Sequence, residues 1–321
     1  MTLNSTSNNT AIASIFKLGE DLTVNRLGYG AMRLSGQPGN FGAYADWEAG
    51  KQLLRRAVEL GVNFIDTAEA YGPGFNEEII ASALHPYPED LVIATKGGIN
   101  KPSPDNIQAD GSPESLRKSV EASLKRLKRD RLDLYQLHRP DSKVLFAESI
   151  GALAQLKQEG KIRHLGISNV TLEQIEEARN IVEIASVQNR FSITERSNQN
   201  ILDYCTQNNI AFIPYGSLDA HPLKRGAPLA KAEGILADIA QKKGEGLSPE
   251  FDSGACLHRF VWCTPRVKPN QIALAWLLHY APNIILIPGT TTIAHLEENI
   301  AVNSIHLNTD EINLLDQIDK I

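Results

Sequence analysis

The chain is poor in cysteine, methionine and aromatic residues: its 321 residues include 3 Cys, 2 Met and 6% Phe, Trp and Tyr. Cys205, Cys256 and Cys263 are too few for a disulfide framework and suit a reducing compartment, so a cytoplasmic location is expected. No apolar run nears the roughly 18 residues that a membrane span needs, and no membrane partner is expected. A surplus of positive charge is also missing. With 32 Lys+Arg against 38 Asp+Glu the formal net charge is −6, which argues against nucleic acid as a partner. The one basic run (Lys125, Arg126, Lys128, Arg129, Arg131) closes an amphipathic stretch, where cations complement the negative end of a helix dipole. Glycine and proline are scattered, so no linker divides the chain. Residues 1–13 are rich in Ser, Thr and Asn and lack the features of transit or signal peptides. They read as a disordered tail before a single domain over 14–321.

What is present is alternation. Short β-branched or apolar runs are expected to end as strands near Met32, Thr67, Lys96, His138, Ser168, Arg190, Tyr215 and Pro288. Helical periodicity fills much of the space between them, over 47–60, 112–127, 148–159 and 172–181, with Thr171 placed to cap the last of these. Continuous apolar strands alternating with helices imply a parallel sheet covered by helices. Eight such units in about 290 residues fit an α/β fold of (β/α)8 type better than an open sheet. Before the first strand, 15–18 and 22–24 flank Gly19-Glu20-Asp21 as a β-hairpin suited to plug the barrel's N-terminal end.

Between strands seven and eight the spacing stretches to roughly 70 residues, with helices expected over 229–243 and 269–280 and an irregular insertion over 244–267. Cys256, His258 and Cys263 in the insertion fall short of the four ligands of a structural metal site, and no metal is expected.

In a parallel barrel, chemistry collects where strands end. Asp66, Lys96 and His138 end strands two, three and four, and Tyr71 opens the loop after strand two. Each residue alone would pass for a salt-bridge partner or a structural hydrogen-bonding group. On successive strands they form a set. Hydride addition to a carbonyl builds charge on oxygen, so an acid must donate a proton. Tyr71 can be that acid if the neighbouring ammonium of Lys96 lowers its pKa while Asp66 holds Lys96 in place. His138 would orient and polarise the carbonyl. Gly28-Tyr29-Gly30 lacks the third glycine and the acidic partner of a Rossmann fingerprint.

The runs Gly61-Val62-Asn63-Phe64-Ile65-Asp66-Thr67-Ala68-Glu69-Ala70-Tyr71-Gly72, Ala94-Thr95-Lys96 and Asp133-Leu134-Tyr135-Gln136-Leu137-His138 resemble the aldo-keto reductase superfamily. The resemblance covers residues 15–321 apart from the insertion. It implies an NADP(H)-dependent reduction of aldehydes or ketones to alcohols, with Asp66, Tyr71, Lys96 and His138 as the catalytic tetrad and Tyr71 as general acid. It also implies a cofactor site. Ser168, Asn169 and Gln188 match the ligands of the nicotinamide carboxamide, and Tyr215 the aromatic that stacks on the ring. Gly216, Ser217 and Leu218 follow in the same site, with Gly216 where Ser is frequent. Gly30 and Met32 end strand one beside the nicotinamide. Ile287, Pro288, Gly289, Thr290, Thr291 and Thr292 resemble the phosphate segment, whose N–H groups at a helix start suit an anion. Glu298 and Asn299 match the adenine contacts. Gly289 and His295 stand where Lys and Arg are frequent, which leaves NAD(H) open beside NADP(H).

Within that superfamily the likeness is greatest to the pyridoxal reductase branch. It is carried by Val24-Asn25-Arg26-Leu27-Gly28-Tyr29-Gly30-Ala31-Met32, Phe41-Gly42, Pro288-Gly289-Thr290 and Ala294-His295-Leu296. The expected partner is a small carbonyl compound, the expected state a monomer, and Gly97-Gly98 suggest a roomy pocket wall. A cofactor-binding regulatory subunit on the same barrel is the alternative, and a purely structural barrel the third reading.

Overall fold

In the computed structural model the residues described are 14–19, 21–220, 228–245 and 267–318. The insertion residues 246–266, with Cys256, His258 and Cys263, lie outside them, as do residues 1–13.

β1 (Ile15–Leu18) and β2 (Leu22–Asn25) form an antiparallel hairpin that pairs Phe16 with Val24 and Leu18 with Leu22. Alternation puts these four side chains on one face. That face packs on Phe64, Val92, Leu134, Ala185, Ala211 and Ile285 at the strand starts, so the hairpin stops the lower mouth of the sheet.

The chain then runs β3 (Tyr29–Gly30), α1 (Trp47–Glu59), β4 (Phe64–Asp66), α2 (Phe75–Leu84) and β5 (Val92–Gly97). A second hairpin, β6 (Ile99–Ser103) and β7 (Asn106–Ala109), precedes α3 (Pro113–Leu127). Next come β8 (Leu132–Leu137), α4 (Phe146–Gln158), β9 (Ile162–Ser168), α5 (Leu172–Arg179), β10 (Ser186–Gln188), α6 (Gln199–Gln207) and β11 (Ala211–Phe212). The described remainder holds α7 (Ile235–Glu245), α8 (Pro269–Tyr280), α9 (Ile293–Ile300) and α10 (Thr309–Leu315).

Seven parallel strands curl in the order β11-β10-β9-β8-β5-β4-β3. The segment 283–286 bonds to both edges of this sheet. Phe212 N–H reaches Asn283 O and Ile285 N–H reaches Phe212 O, both at 2.9 Å. Leu286 N–H reaches Arg26 O and Gly28 N–H reaches Leu286 O, both at 2.8 Å. Those bonds close the sheet into the expected barrel, which removes its edges. Arg26, 2% exposed, ties the seam together. Its guanidinium donates to Leu278 O at 2.8 Å, Ala281 O at 2.5 Å and Ile284 O at 2.9 Å, meeting the carbonyls at the end of α8.

Local sequence explains the helix starts. Asp46 caps α1 through Ala49 N–H, and Ser112 caps α3 ahead of Pro113. Thr171 and Gln174 form a reciprocal capping box at α5. Several elements differ from expectation; the eighth strand, for one, is present only as isolated bridges at Ile284 and Leu286. β3 ends at Gly30, and Met32 lies in a 3-10 turn, Ala31–Arg33. In place of one helix over 229–243 there is a 3-10 turn, Pro228–Lys231, and then α7, separated at Gly234 by a positive φ of 70°. α2 is also missing from the helices singled out by periodicity, because it buries Asn76 and Glu77 alongside its apolar residues and so shows a weak polar–apolar contrast.

Candidate active site

β4, β5 and β8 are neighbours in the sheet, so residues at their upper ends converge. Lys96, wholly buried near the end of β5, places Nζ 2.7 Å from Asp66 Oδ2 and 2.8 Å from Thr67 O. The same ammonium is 3.4 Å from Tyr71 Oη. His138 follows β8, with its N–H on Gly97 O at 2.9 Å, and its ring meets the Tyr71 ring edge-on with centroids 5.8 Å apart. The Asp66 carboxylate is held from a second side, because Gln188 Nε2 donates to Oδ1 at 2.9 Å.

Tyr71 sits on a loop whose shape is heavily determined. Glu69 N–H reaches Lys96 O at 3.0 Å and Gly72 N–H reaches Asn40 O at 2.9 Å. Beneath the loop, Thr67 Oγ1 donates to Asn76 Oδ1 at 2.6 Å, and Asn76 Nδ2 donates to Ala31 O at 2.8 Å and Leu34 O at 2.7 Å. These bonds join the loop after β4 to the turn after β3.

The electrostatics departs from the expected direction at one residue. Burial pushes the Tyr71 phenol up; Lys96 pulls it down without prevailing, and Asp66 opposes that pull. Lys96 itself is held above the usual lysine range, since Asp66 and Tyr71 together outweigh the burial that favours its neutral form. Burial, then Lys96, Arg139 and Lys101, keep His138 well below the ordinary imidazole range. At neutral pH the imidazole is therefore uncharged. Its buried Nδ1 has no hydrogen-bond partner among the described residues.

These side chains open on a cavity of about 430 Å³. Of the sequence-derived candidates, Gly30, Met32, Asp66, Tyr71, His138, Ser168, Asn169, Gln188, Tyr215, Gly216, Ser217, Leu218, Ile287, Pro288 and Gly289 line it. Lys96 sits behind the wall and reaches it through Tyr71 and Asp66. A polar relay runs along one side: Tyr215 Oη donates to Asn169 Oδ1 at 2.8 Å, Asn169 Nδ2 to Ser168 Oγ at 3.0 Å, and Ser168 Oγ to Gln188 O at 2.7 Å. Asn169 holds a positive φ of 58°, a conformation its short amide tolerates.

Thr290, Thr291, Thr292, His295, Glu298 and Asn299 do not line this cavity: the threonines lead into α9, capped by Thr292, and the other three lie along it, with Asn299 buried. Thr290 Oγ1 accepts Thr292 N–H at 3.2 Å, and Thr292 Oγ1 accepts His295 N–H at 3.3 Å. The first-turn N–H groups of Ile293 and Ala294 have no protein acceptor among the described residues. Glu298 is engaged by Lys268 Nζ at 2.5 Å.

Gly97 and Gly98 do not form the roomy wall expected of them. A Cβ on Gly97 would meet the Tyr135 hydroxyl and Ser119 Oγ, and one on Gly98 the Leu137 and Leu116 side chains. The lack of side chains there lets the strand pack closely against α3. The wall is built instead by Ile99, Lys101 and Ile107 of the β6–β7 hairpin. Sequence reading missed these residues, along with Arg33, Asn40 and Arg139, because a short hairpin within a βα connection has no periodic signature. Gly289 has a local cause: a Cβ there would lie 2.6 Å from Gly30 O and 3.8 Å from Arg33 Cγ. The side chain of Arg33 thus runs beside the place that Gly289 leaves empty. Among the described residues no group of three or more His, Cys, Asp or Glu stands where it could hold a metal ion, and no helix is long and apolar enough to cross a membrane.

A closed (β/α)8 barrel thus brings a Lys–Asp pair, a tyrosine and a histidine together around one bowl. The aldo/keto reductase family model matches residues 26–320, and the chain belongs to that family. An uncharacterised oxidoreductase of Schizosaccharomyces pombe is 40% identical over 305 residues, covering 95% of this chain and 90% of the relative. The pyridoxine 4-dehydrogenase of Escherichia coli is 38% identical over 315 residues, covering 96% and 99%. Among solved structures, the glycerol dehydrogenase of Gluconobacter oxydans superposes with a TM-score of 0.79 at 26% identity, covering 95% and 94%.

Proposed function

We propose that the chain reduces aldehydes or ketones to alcohols with NADP(H), with Tyr71 as the proton donor, and that pyridoxal is a substrate. The observation that carries the reading is the position of Lys96 Nζ, 2.7 Å from Asp66 Oδ2 and 3.4 Å from Tyr71 Oη. A phenol pushed up by burial stays protonated at neutral pH, so Oη has a proton to give. Once the proton has passed to the carbonyl oxygen, the ammonium of Lys96 stabilises the tyrosinate left behind. Neutral His138 donates to the same oxygen without competing as the acid, which fixes the carbonyl over Tyr71.

The residues present fit a nicotinamide dinucleotide. A planar primary amide needs both donors and acceptors at one edge, and Ser168, Asn169 and Gln188 present hydroxyl and amide groups together. The Tyr215 ring, tethered through Asn169, offers a flat face beside them. The first-turn N–H groups of α9 suit a phosphate, and the stem of Arg33 passes beside Gly289 at the edge of that site. When bound, the cofactor supplies the hydride. Identity of 38% to a pyridoxine 4-dehydrogenase supports pyridoxal as the first carbonyl to try.

The test is steady-state loss of reduced-cofactor absorbance, NADPH against NADH, across a carbonyl panel that includes pyridoxal. Multiple turnover with a preference for NADPH is the expected result. A stoichiometric burst without turnover would overturn the reading.

A further inference from the structure

The cavity holds more positive charge than reduction of a neutral carbonyl requires. Arg33, Lys101 and Arg139 line it, whereas Asp66, the one carboxylate among its described lining residues, is already paired with Lys96. The three cations fall on two sides. Arg33 passes beside Gly289, the last residue before the proposed phosphate segment's threonines. Lys101, on β6, and Arg139, directly after His138, lie on the β5–β8 side, and both act electrostatically on His138. Arg139 also acts on Tyr215. Two positive groups therefore share one cavity wall with the imidazole that would hold the carbonyl oxygen.

Among the described residues neither cation is matched by a carboxylate. Lys101 is 7% exposed, and among the described residues its Nζ donates only to the carbonyls of Gly39 and Asn40, the latter at 3.1 Å. Among the described residues Arg139 makes no hydrogen bond or ion pair. An ammonium taken out of water without a counter-ion is costly, and an arginine on a cavity wall is suited to grip a carboxylate or phosphate with two N–H groups. Around them Ala70, Ile99 and Ile107 give an apolar surface for a substrate's body.

Building on the carbonyl-reductase reading, we infer that this enzyme favours carbonyl substrates bearing a carboxylate or phosphate over those without one, pyridoxal included, and that Lys101 and Arg139 bind that group. They act on specificity and hold no reacting atom.

The experiment compares para-carboxybenzaldehyde with its neutral methyl ester, using NADPH and the full-length wild type, Lys101→Met and Arg139→Gln. Arg139 is exposed, so its variant separates loss of the charge from loss of the fold. The wild type is expected to favour the carboxylate in kcat/KM. Each substitution should shrink that preference by about tenfold to a hundredfold, mainly through KM, as expected for one charge-assisted contact. Equal wild-type efficiency on the two aldehydes would overturn the inference. So would a Lys101→Met loss that falls equally on both, since the lysine would then only pin Gly39 and Asn40. Calorimetric titration of the NADP+-loaded protein with terephthalate and its dimethyl ester reads anion selectivity without turnover. Selective binding with no reduction of either aldehyde would keep the inference and overturn the reductase reading; reduction with unselective binding would do the reverse.

Discussion

Lys96 Nζ stands 2.7 Å from Asp66 Oδ2 and 3.4 Å from Tyr71 Oη, so the ammonium is closer to its counter-ion than to the phenol. This order of distances accounts for the tyrosine's behaviour. A lysine shared with a carboxylate lowers a neighbouring phenol less than a free one does, and burial outweighs what remains.

Tyr71→Phe removes the proposed proton donor and leaves the Asp66–Lys96 pair in place. Turnover should fall by about 10²–10⁴-fold, the usual contribution of a positioned acid, while NADPH binding followed by fluorescence stays near wild type. Turnover within a few fold of wild type would remove Tyr71 from the role.

Lys96→Met leaves the Asp66 carboxylate buried with only the Gln188 amide as partner among the described residues. Breaking one side of such a pair costs about 3–5 kcal/mol, whereas adding Asp66→Asn to Lys96→Met should recover part of the loss. Urea unfolding of the single and double variants measures both. A double variant no more stable than Lys96→Met would mean that the carboxylate tolerates burial alone.

The pH dependence follows from two shifts of opposite sign. Tyr71 must be protonated to act and its pKa is raised, so reduction should hold a plateau through neutral pH and fall only at the alkaline end. His138 is depressed, so the unfolded chain binds the proton more readily than the folded one. Stability is unaffected above the unfolded imidazole value near 6.5 and declines as pH falls below it. Thermal melts of wild type and His138→Gln from about pH 7 to about pH 4.5 test this, with the variant expected to lose stability less steeply. Parallel curves would show that other groups carry the acid sensitivity.

Gly289→Ala puts a methyl group 2.6 Å from Gly30 O, where backbone has to move. A loss of about 1–3 kcal/mol is expected from such overpacking, read as a lower melting temperature. Introducing a lysine there should therefore cost stability as well, whereas Arg33→Met should raise the KM for NADPH. An Arg33→Met enzyme with unchanged cofactor KM would place the phosphate elsewhere.

Much of the upper rim was legible in the chain because strand ends leave a local mark. An apolar run stopping at Asp66, Lys96 or His138 shows both the strand and the polar group at its tip. The same reading misjudged Gly97 and Gly98. A missing side chain means open space only if it faces the cavity, and the residue after a strand's polar tip faces the helices instead. The β6–β7 hairpin escaped notice for a related reason. It is too short and too polar for periodicity to register, yet it brings Lys101 to the wall.

The sequence by itself determined the alternation of strand and helix, the capping residues such as Thr171, and which polar groups stand at the strand ends. Those features depend on neighbours a few positions apart. Three others were decided by the tertiary structure: closure of the barrel through 283–286 and Arg26, the upward shift of Tyr71, and the placing of Lys101, His138 and Arg139 on one cavity. Each depends on residues far apart in the chain. Burial and charge act through space, so the sign of a pKa or the field in a cavity is set only once the strands have closed around it.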